Sequence, residues 1–132
     1  MRLSKERWDS KLERWRKIAL ESCKQCGRDL APEIRALVPF KDLVAGFGSF
    51  DEILIPTLAV PGEDLGRTLK GSKAKKVLVV VGPEGDFTEK EVEEAVRHGA
   101  KPVSLGPLVM RSETAAIYLL SSLTFFYREI AK

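Results

Sequence analysis

Two glycine-marked turns carry the residues of this 132-residue chain whose types and spacing suit chemistry. One is Gly82-Pro83-Glu84-Gly85, directly after an apolar run. The other runs Leu105-Gly106-Pro107-Leu108-Val109-Met110-Arg111-Ser112-Glu113-Thr114-Ala115, between a second run and the last helix. Glycine permits close backbone approach and positive φ, so such turns present N–H and C=O groups to a ligand. Both turns leave the ends of predicted strands, and in open parallel sheets ligands sit outside the carboxyl ends of strands. The two can serve one small ligand. A phosphate cradle is a competing chemistry for a glycine loop that opens a helix. It fits poorly, because no Lys-Ser/Thr follows the loop and Glu84 and Asp86 would repel phosphate. Taken singly, either turn need do no more than change the chain's direction.

The elements that must position these turns are legible nearby. Val77 to Val81 is five apolar residues, four of them Val. Such a run predicts a strand buried on both faces of a parallel sheet, stopped by Gly82-Pro83. Thr88-x-x-Glu91 is a capping box that starts a helix. Pro102 to Leu105 reads as a second short strand. Ser112 is the expected cap of the last helix, with Glu113 in its first turn, where the dipole favours a carboxylate. Upstream, Ile53-Leu54-Ile55 is a strand within 52–58, cut by Pro56. Glu33 to Val38 is a strand candidate. Lys41 to Ala45 and Glu63 to Leu69 are short helices, and Gly46 to Ser49 is a turn. Trp8, Leu12, Trp15, Ala19, Cys23 and Cys26 recur every three or four residues, which predicts a helix from Lys5 to Cys26 ended by Gly27. The last helix, Ser112 to Ala131, is apolar nearly all round and needs a second partner beyond the sheet, which in a chain this small points to another subunit. The alternation of strands and helices predicts an α/β fold with a mainly parallel sheet flanked by helices.

Composition fits one globular domain over residues 1–132, with 44% hydrophobic and 31% charged residues. No apolar run approaches the length of a membrane span, so a cytoplasmic protein without membrane contact is expected. Net charge is +3. Residues 1–28 hold nine basic and four acidic side chains, and the remainder thirteen against fifteen, so the basic excess lies in the first helix. Such a bias suits a phosphate backbone, although a solvated helix face produces the same pattern. Cys23 and Cys26 form a lone C-x-x-C. With no second cysteine pair and a distant single histidine, no metal site is expected, and the pair reads as reduced, mostly packed thiols.

At this point a family resemblance enters. GPEGDFTEKE and SLGPLVMRSETA resemble the two signature stretches of the SPOUT-class RNA methyltransferases, and of the RsmE family in particular. Lys24-Gln25-Cys26-Gly27-Arg28 is a weaker match to that family's E-Q-x-x-R. The resemblance runs from about Arg14 to the C-terminus. It implies methylation of N3 of a uridine in small-subunit ribosomal RNA, with S-adenosyl-L-methionine as cofactor. It also implies a C-terminal trefoil knot and a homodimer through the last helix. Family members carry, in addition, an N-terminal RNA-binding barrel and an opening strand–helix unit, neither of which is found before Met1. Asp86 is a departure, where the family usually has a second glycine, and Val109 and Met110 conservatively replace the family's Ile and Leu.

Methyl transfer from a sulfonium needs in-line positioning more than covalent help. The expected cofactor pocket takes Leu54 and Pro56 from the earlier strand end. It takes Gly82, Pro83, Glu84 and Gly85 from the first loop, and Leu105, Gly106, Leu108, Val109 and Met110 from the second. Thr114 and Ala115 complete it from the last helix. Arg111, always charged and with a planar donor fork, is the expected stabiliser of negative charge on the uridine carbonyl oxygens. Glu113 is the nearest motif carboxylate for a base, while a plain helix-terminus role competes. Arg28 is expected to hold a phosphate or the target base, and Glu84 to orient the first loop or the substrate. Asp86 is expected to point to solvent beside the following helix. The rival reading is a non-catalytic RNA-binding or assembly module that keeps the fold.

Overall fold

The computed structural model describes residues 4–131. The chain divides into two compact units, one ending at Pro39 and the other beginning at Phe40.

The first unit is built on α1, Lys5–Cys26. Gly27 ends it at φ 74°, the left-handed conformation that glycine adopts without a Cβ clash. Arg28 N–H donates to Cys23 O at 3.0 Å, so an otherwise orphaned carbonyl is satisfied. Leu12 and Cys23 are buried, whereas Trp15 is 40% exposed and meets Trp8 edge-on at 6.2 Å. Cys26 is exposed, so only one of the two free thiols is packed. Residues 33–38 form no strand, against expectation. A strand needs a ladder partner, and this segment has none; Arg16 Nε holds it instead by donating to Ile34 O at 3.0 Å.

The second unit is a sheet between helices. Its strands are β1 (Glu52–Pro56), β2 (Glu63–Asp64), β3 (Val77–Val79) and β4 (Ala100–Ser104). They run parallel in the order β2-β4-β1-β3. Short helices α2 (Phe40–Ala45) and α3 (Leu65–Leu69) precede α4 (Glu89–Arg97) and α5 (Ser112–Phe125). The expected helix over 63–69 begins only at Leu65, because Glu63 and Asp64 pair with Val103 and Ser104. Gly62 permits that approach: a Cβ there would meet the Val103 carbonyl carbon at 2.8 Å.

The doubly buried strand is β1, not β3. Glu52 to Ile55 are all buried, whereas Val77 to Val79 are half-buried, because β3 lies at the sheet edge with a neighbour on one side only. Side chains alternate across β1 with the period of two that a strand imposes. Ile53 and Ile55 join Phe47, Val92 and Ala95 on one face. Leu54 joins Leu69, Val103, Leu119 and Leu123 on the other. Each fully buried side chain of this size contributes about 1.5–3 kcal/mol.

α4 begins with both halves of its capping box, Glu91 N–H on Thr88 Oγ1 and Thr88 N–H on the Glu91 carboxylate. α5 begins differently from expectation. Arg111 is its cap residue and Ser112 is already helical, without a side-chain cap. The helix does not continue unchanged to Ala131 either: Phe126–Ile130 is a wider π-helical turn. That turn carries Tyr127, whose hydroxyl meets Ser72 Oγ at 2.9 Å and donates to the Glu52 carboxylate at 3.2 Å. Lys101 Nζ adds a 3.0 Å ion pair to Glu52, so the buried carboxylate is fully partnered. This network fastens the sheet at the amino ends of β1 and β4. Among the described residues no helix is long and apolar enough to cross a membrane.

Candidate active site

The opposite, carboxyl ends of β4, β1 and β3 are neighbours, and their exits form one cavity of about 550 Å³. The end of β1 and the residues after it supply Pro56, Thr57 and Leu58. The chain after β3 supplies Val81, Gly82, Pro83, Glu84 and Asp86. β4 and its exit supply Val103 to Gly106, then Leu108, Val109 and Met110. The start of α5 adds Arg111, Ser112, Glu113 and Ala115. The two glycine loops therefore meet because their strands flank the same central strand.

Most residues expected at the site are brought together here. Leu54 is not: it is fully buried on the face of β1 that packs against Leu119, two residues before the end of the strand. Gly85 and Thr114 also lie outside the lining, which takes their chain neighbours instead. Arg28 belongs to the first unit, where it is exposed. Sequence reasoning passed over Thr57, Leu58, Val81, Val103, Ser104 and Ser112. Thr57 and Leu58 directly follow the Pro56 that ends a predicted strand, and that position was the available signal.

The glycines act for separate reasons. A Cβ on Gly82 would meet the Phe87 ring at 3.0 Å, so this position demands close approach. Gly106 has φ 107°, outside the range open to residues with a side chain, yet a Cβ there would meet nothing within 4 Å. Gly85 has neither constraint. Gly106 N–H donates to Ser104 Oγ at 3.3 Å, which fixes the exit of β4.

Asp86 departs from its expected placement in solvent. Its φ is 63°, the left-handed region that aspartate tolerates better than most residues. Its carboxylate turns back across the pocket wall and accepts from Thr57 Oγ1, from Leu58 N at 2.7 Å and from Phe87 N at 2.7 Å. Burial pushes this carboxyl up, but the hydrogen bonds from Leu58, Phe87, Thr57 and Ala59 outweigh it and hold the group below the usual carboxylate value. The mouth of the cavity is apolar: Leu58, Leu108 and Val109 are 70%, 75% and 78% exposed. Arg111 caps α5 and Glu113 stands in its first turn, and both are exposed. Apolar walls with a few convergent polar groups and a volume of this order characterise small-molecule sites. Among the described residues no cluster of His, Cys, Asp and Glu is placed to hold a metal.

Comparison with known proteins agrees with this architecture. A model of the RNA methyltransferase domain matches residues 1–124. The chain is 32% identical over 130 residues to the Bacillus subtilis protein named ribosomal RNA small subunit methyltransferase E, covering 95% of this chain and 51% of that one. It is 32% identical over 114 residues to the Mesomycoplasma hyopneumoniae protein of the same name, covering 86% and 48%. The chain thus spans about half the length of the curated relatives it matches. Among solved structures, the Neisseria gonorrhoeae enzyme of that name, bound to S-adenosyl methionine, superposes with a TM-score of 0.82 at 28% identity, covering 96% of this chain and 51% of that one. A Legionella pneumophila protein in complex with bound SAM gives 0.84 at 34% identity, covering 94% and 50%. Fold, paired glycine loops and family model converge, and the chain belongs to the RNA methyltransferase domain family.

Proposed function

We propose that this chain is the methyl-transfer domain of an S-adenosylmethionine-dependent enzyme that methylates N3 of a uridine in small-subunit ribosomal RNA. The observation that carries the reading is the single cavity in which both glycine loops, Arg111 and Glu113 converge. The donor's adenosine suits the apolar rim of Leu58, Leu108 and Val109. Its polar groups suit the close backbone approach that the turns at Gly82 and Gly106 permit. When bound, the donor supplies an electrophilic methyl group on a sulfonium.

The chain's own residues then do the rest. Uridine N3 carries a proton in its neutral form. The Glu113 carboxylate accepts that proton, and the Arg111 guanidinium donates to the flanking carbonyl oxygens, over which the negative charge spreads. Leu58, Leu108 and Val109 form an apolar mouth that the bound donor and base would close against water, which would strengthen both interactions. Arg28 binds an RNA phosphate. The enzyme works in the cytoplasm as a homodimer. Exposed apolar side chains on α5, Ile117, Tyr118, Leu120 and Phe125, support an interface there. A knotted C-terminus, with α5 threaded through a loop, belongs to the same reading.

The test is incubation of the chain with labelled S-adenosylmethionine and small-subunit ribosomal RNA, followed by nucleoside mass spectrometry. The reading expects 3-methyluridine, lost in Glu113→Gln and in Arg111→Met. Label on another nucleoside would overturn the choice of atom, and a chain that neither binds the donor nor transfers label would overturn the reading as a whole.

A further inference from the structure

The ladder between β1 and β3 ends at the bond from Val80 N–H to Leu54 O, 2.9 Å. Beyond it, among the described residues, no backbone hydrogen bond joins the exits of the two strands. Those exits are facing walls of the proposed cofactor pocket, and Leu58 on one of them is too exposed for packing to fix it. What continues the connection is one side chain. We infer that Asp86 is a positioning residue, whose carboxylate clamps the Thr57–Ala59 wall to the first glycine loop and so sets the pocket's shape before the methyl donor arrives. The inference rests on the function proposed above.

The clamp is specific to an aspartate. Both carboxylate oxygens lie at 3.0–3.1 Å from Thr57 Oγ1, one takes Leu58 N–H, and the other takes Phe87 N–H. Thr57 Oγ1 in turn accepts Ala59 N–H at 3.0 Å, so the whole wall from 57 to 59 is registered through one carboxylate. Asp86 N–H donates to Pro83 O at 2.9 Å, which closes the glycine loop beneath it. Glycine at this position would keep the positive φ and lose every side-chain bond. Asparagine tolerates the same φ, but one of its two acceptor oxygens becomes an NH2 facing a donor. Glutamate moves the carboxylate a methylene further out. An unclamped wall must be ordered when the ligand binds, and that cost is subtracted from affinity.

The experiment uses the whole chain and the variants Asp86→Asn, Asp86→Gly and Thr57→Val. Amide hydrogen exchange without ligand reads the clamp directly. Leu58 N–H should be protected in the wild type despite its exposed side chain. In Asp86→Asn it should exchange at least about tenfold faster, as loss of a charge-assisted bond implies, while the amides of α4 are unchanged. Calorimetric titration with S-adenosylmethionine should show both Asp86 variants about tenfold weaker. In turnover, KM for the donor should rise with kcat held. Thr57→Val should be intermediate, and the double variant with Asp86→Asn should lose less than the sum of the two, since the Thr57–Asp86 bond is common to both while the Ala59 bond goes only with Thr57. Unchanged Leu58 exchange, unchanged affinity, or strictly additive losses would each overturn the clamp. If the wild type binds no S-adenosylmethionine, the methyltransferase reading fails, and the clamp is then decided by the Leu58 amide alone.

Discussion

Gly106→Ala is the sharpest perturbation of the pocket, because the structure separates its two possible effects. A Cβ at this position would meet no heavy atom within 4 Å, so steric overlap contributes nothing to the cost. The backbone does contribute: at φ 107° an alanine lies well beyond the left-handed well, a strain of about 1–3 kcal/mol. Residue 106 belongs to neither core cluster, and its loop can shed the strain by rotating away from its present course. The loss should therefore appear in ligand binding rather than in global stability. Converted to affinity, it is about 5–150-fold for S-adenosylmethionine, read by calorimetric titration, with the thermal midpoint nearly unmoved. Gly85→Ala is the matched control. It also has open space but no positive φ, and it does not line the cavity, so binding should stay within about twofold, a few tenths of a kcal/mol. Wild-type affinity in Gly106→Ala, or an equal loss in Gly85→Ala, would refute the reasoning.

Three further outcomes are expected. Gly62→Ala should lower stability by about 1–3 kcal/mol in thermal or denaturant unfolding, because its Cβ would press on the Val103 backbone, which cannot swing aside. The Asp86 carboxyl is held below its usual value, so its contribution to stability is complete above about pH 4 and is lost as pH falls through the lowered value; the stability gap between wild type and Asp86→Asn should narrow only in that acid range. Leu120→Glu, on the exposed side of α5, should convert a dimer to a folded monomer in sedimentation, and a wild type that is already monomeric contradicts the interface. Leu123→Glu would not serve that purpose, since Leu123 is packed among Leu54, Leu69 and Leu119.

The parts legible in the sequence were those with local causes. Gly27 ends α1, and the Thr88-Glu91 box starts α4, because each depends on a few adjacent residues. The two glycine turns announced the pocket for the same reason, and the family resemblance supplied the chemistry proposed for it. Non-local facts stayed hidden. Nothing in Val77-Leu78-Val79 tells an edge strand from a central one, since that depends on which strands flank it. Glu63 and Asp64 read as helix because their strand pairing is with residues forty positions away. Glu33 to Val38 reads as a strand candidate but has no ladder partner among the described residues. Asp86 was legible as an anomaly in a glycine loop, while its tie to Thr57 and Leu58 required the fold to bring 29 residues of separation to hydrogen-bond length.

The most direct measurement for the central claim is amide chemical-shift mapping of the chain titrated with S-adenosylmethionine. The account predicts shifts concentrated at 57–58, 82–87 and 104–115, the exits of three neighbouring strands, with the amides near Glu52, Ser72 and Lys101 at the other end of the sheet unmoved. Saturable shifts centred on that other end, or none at millimolar donor, would contradict it.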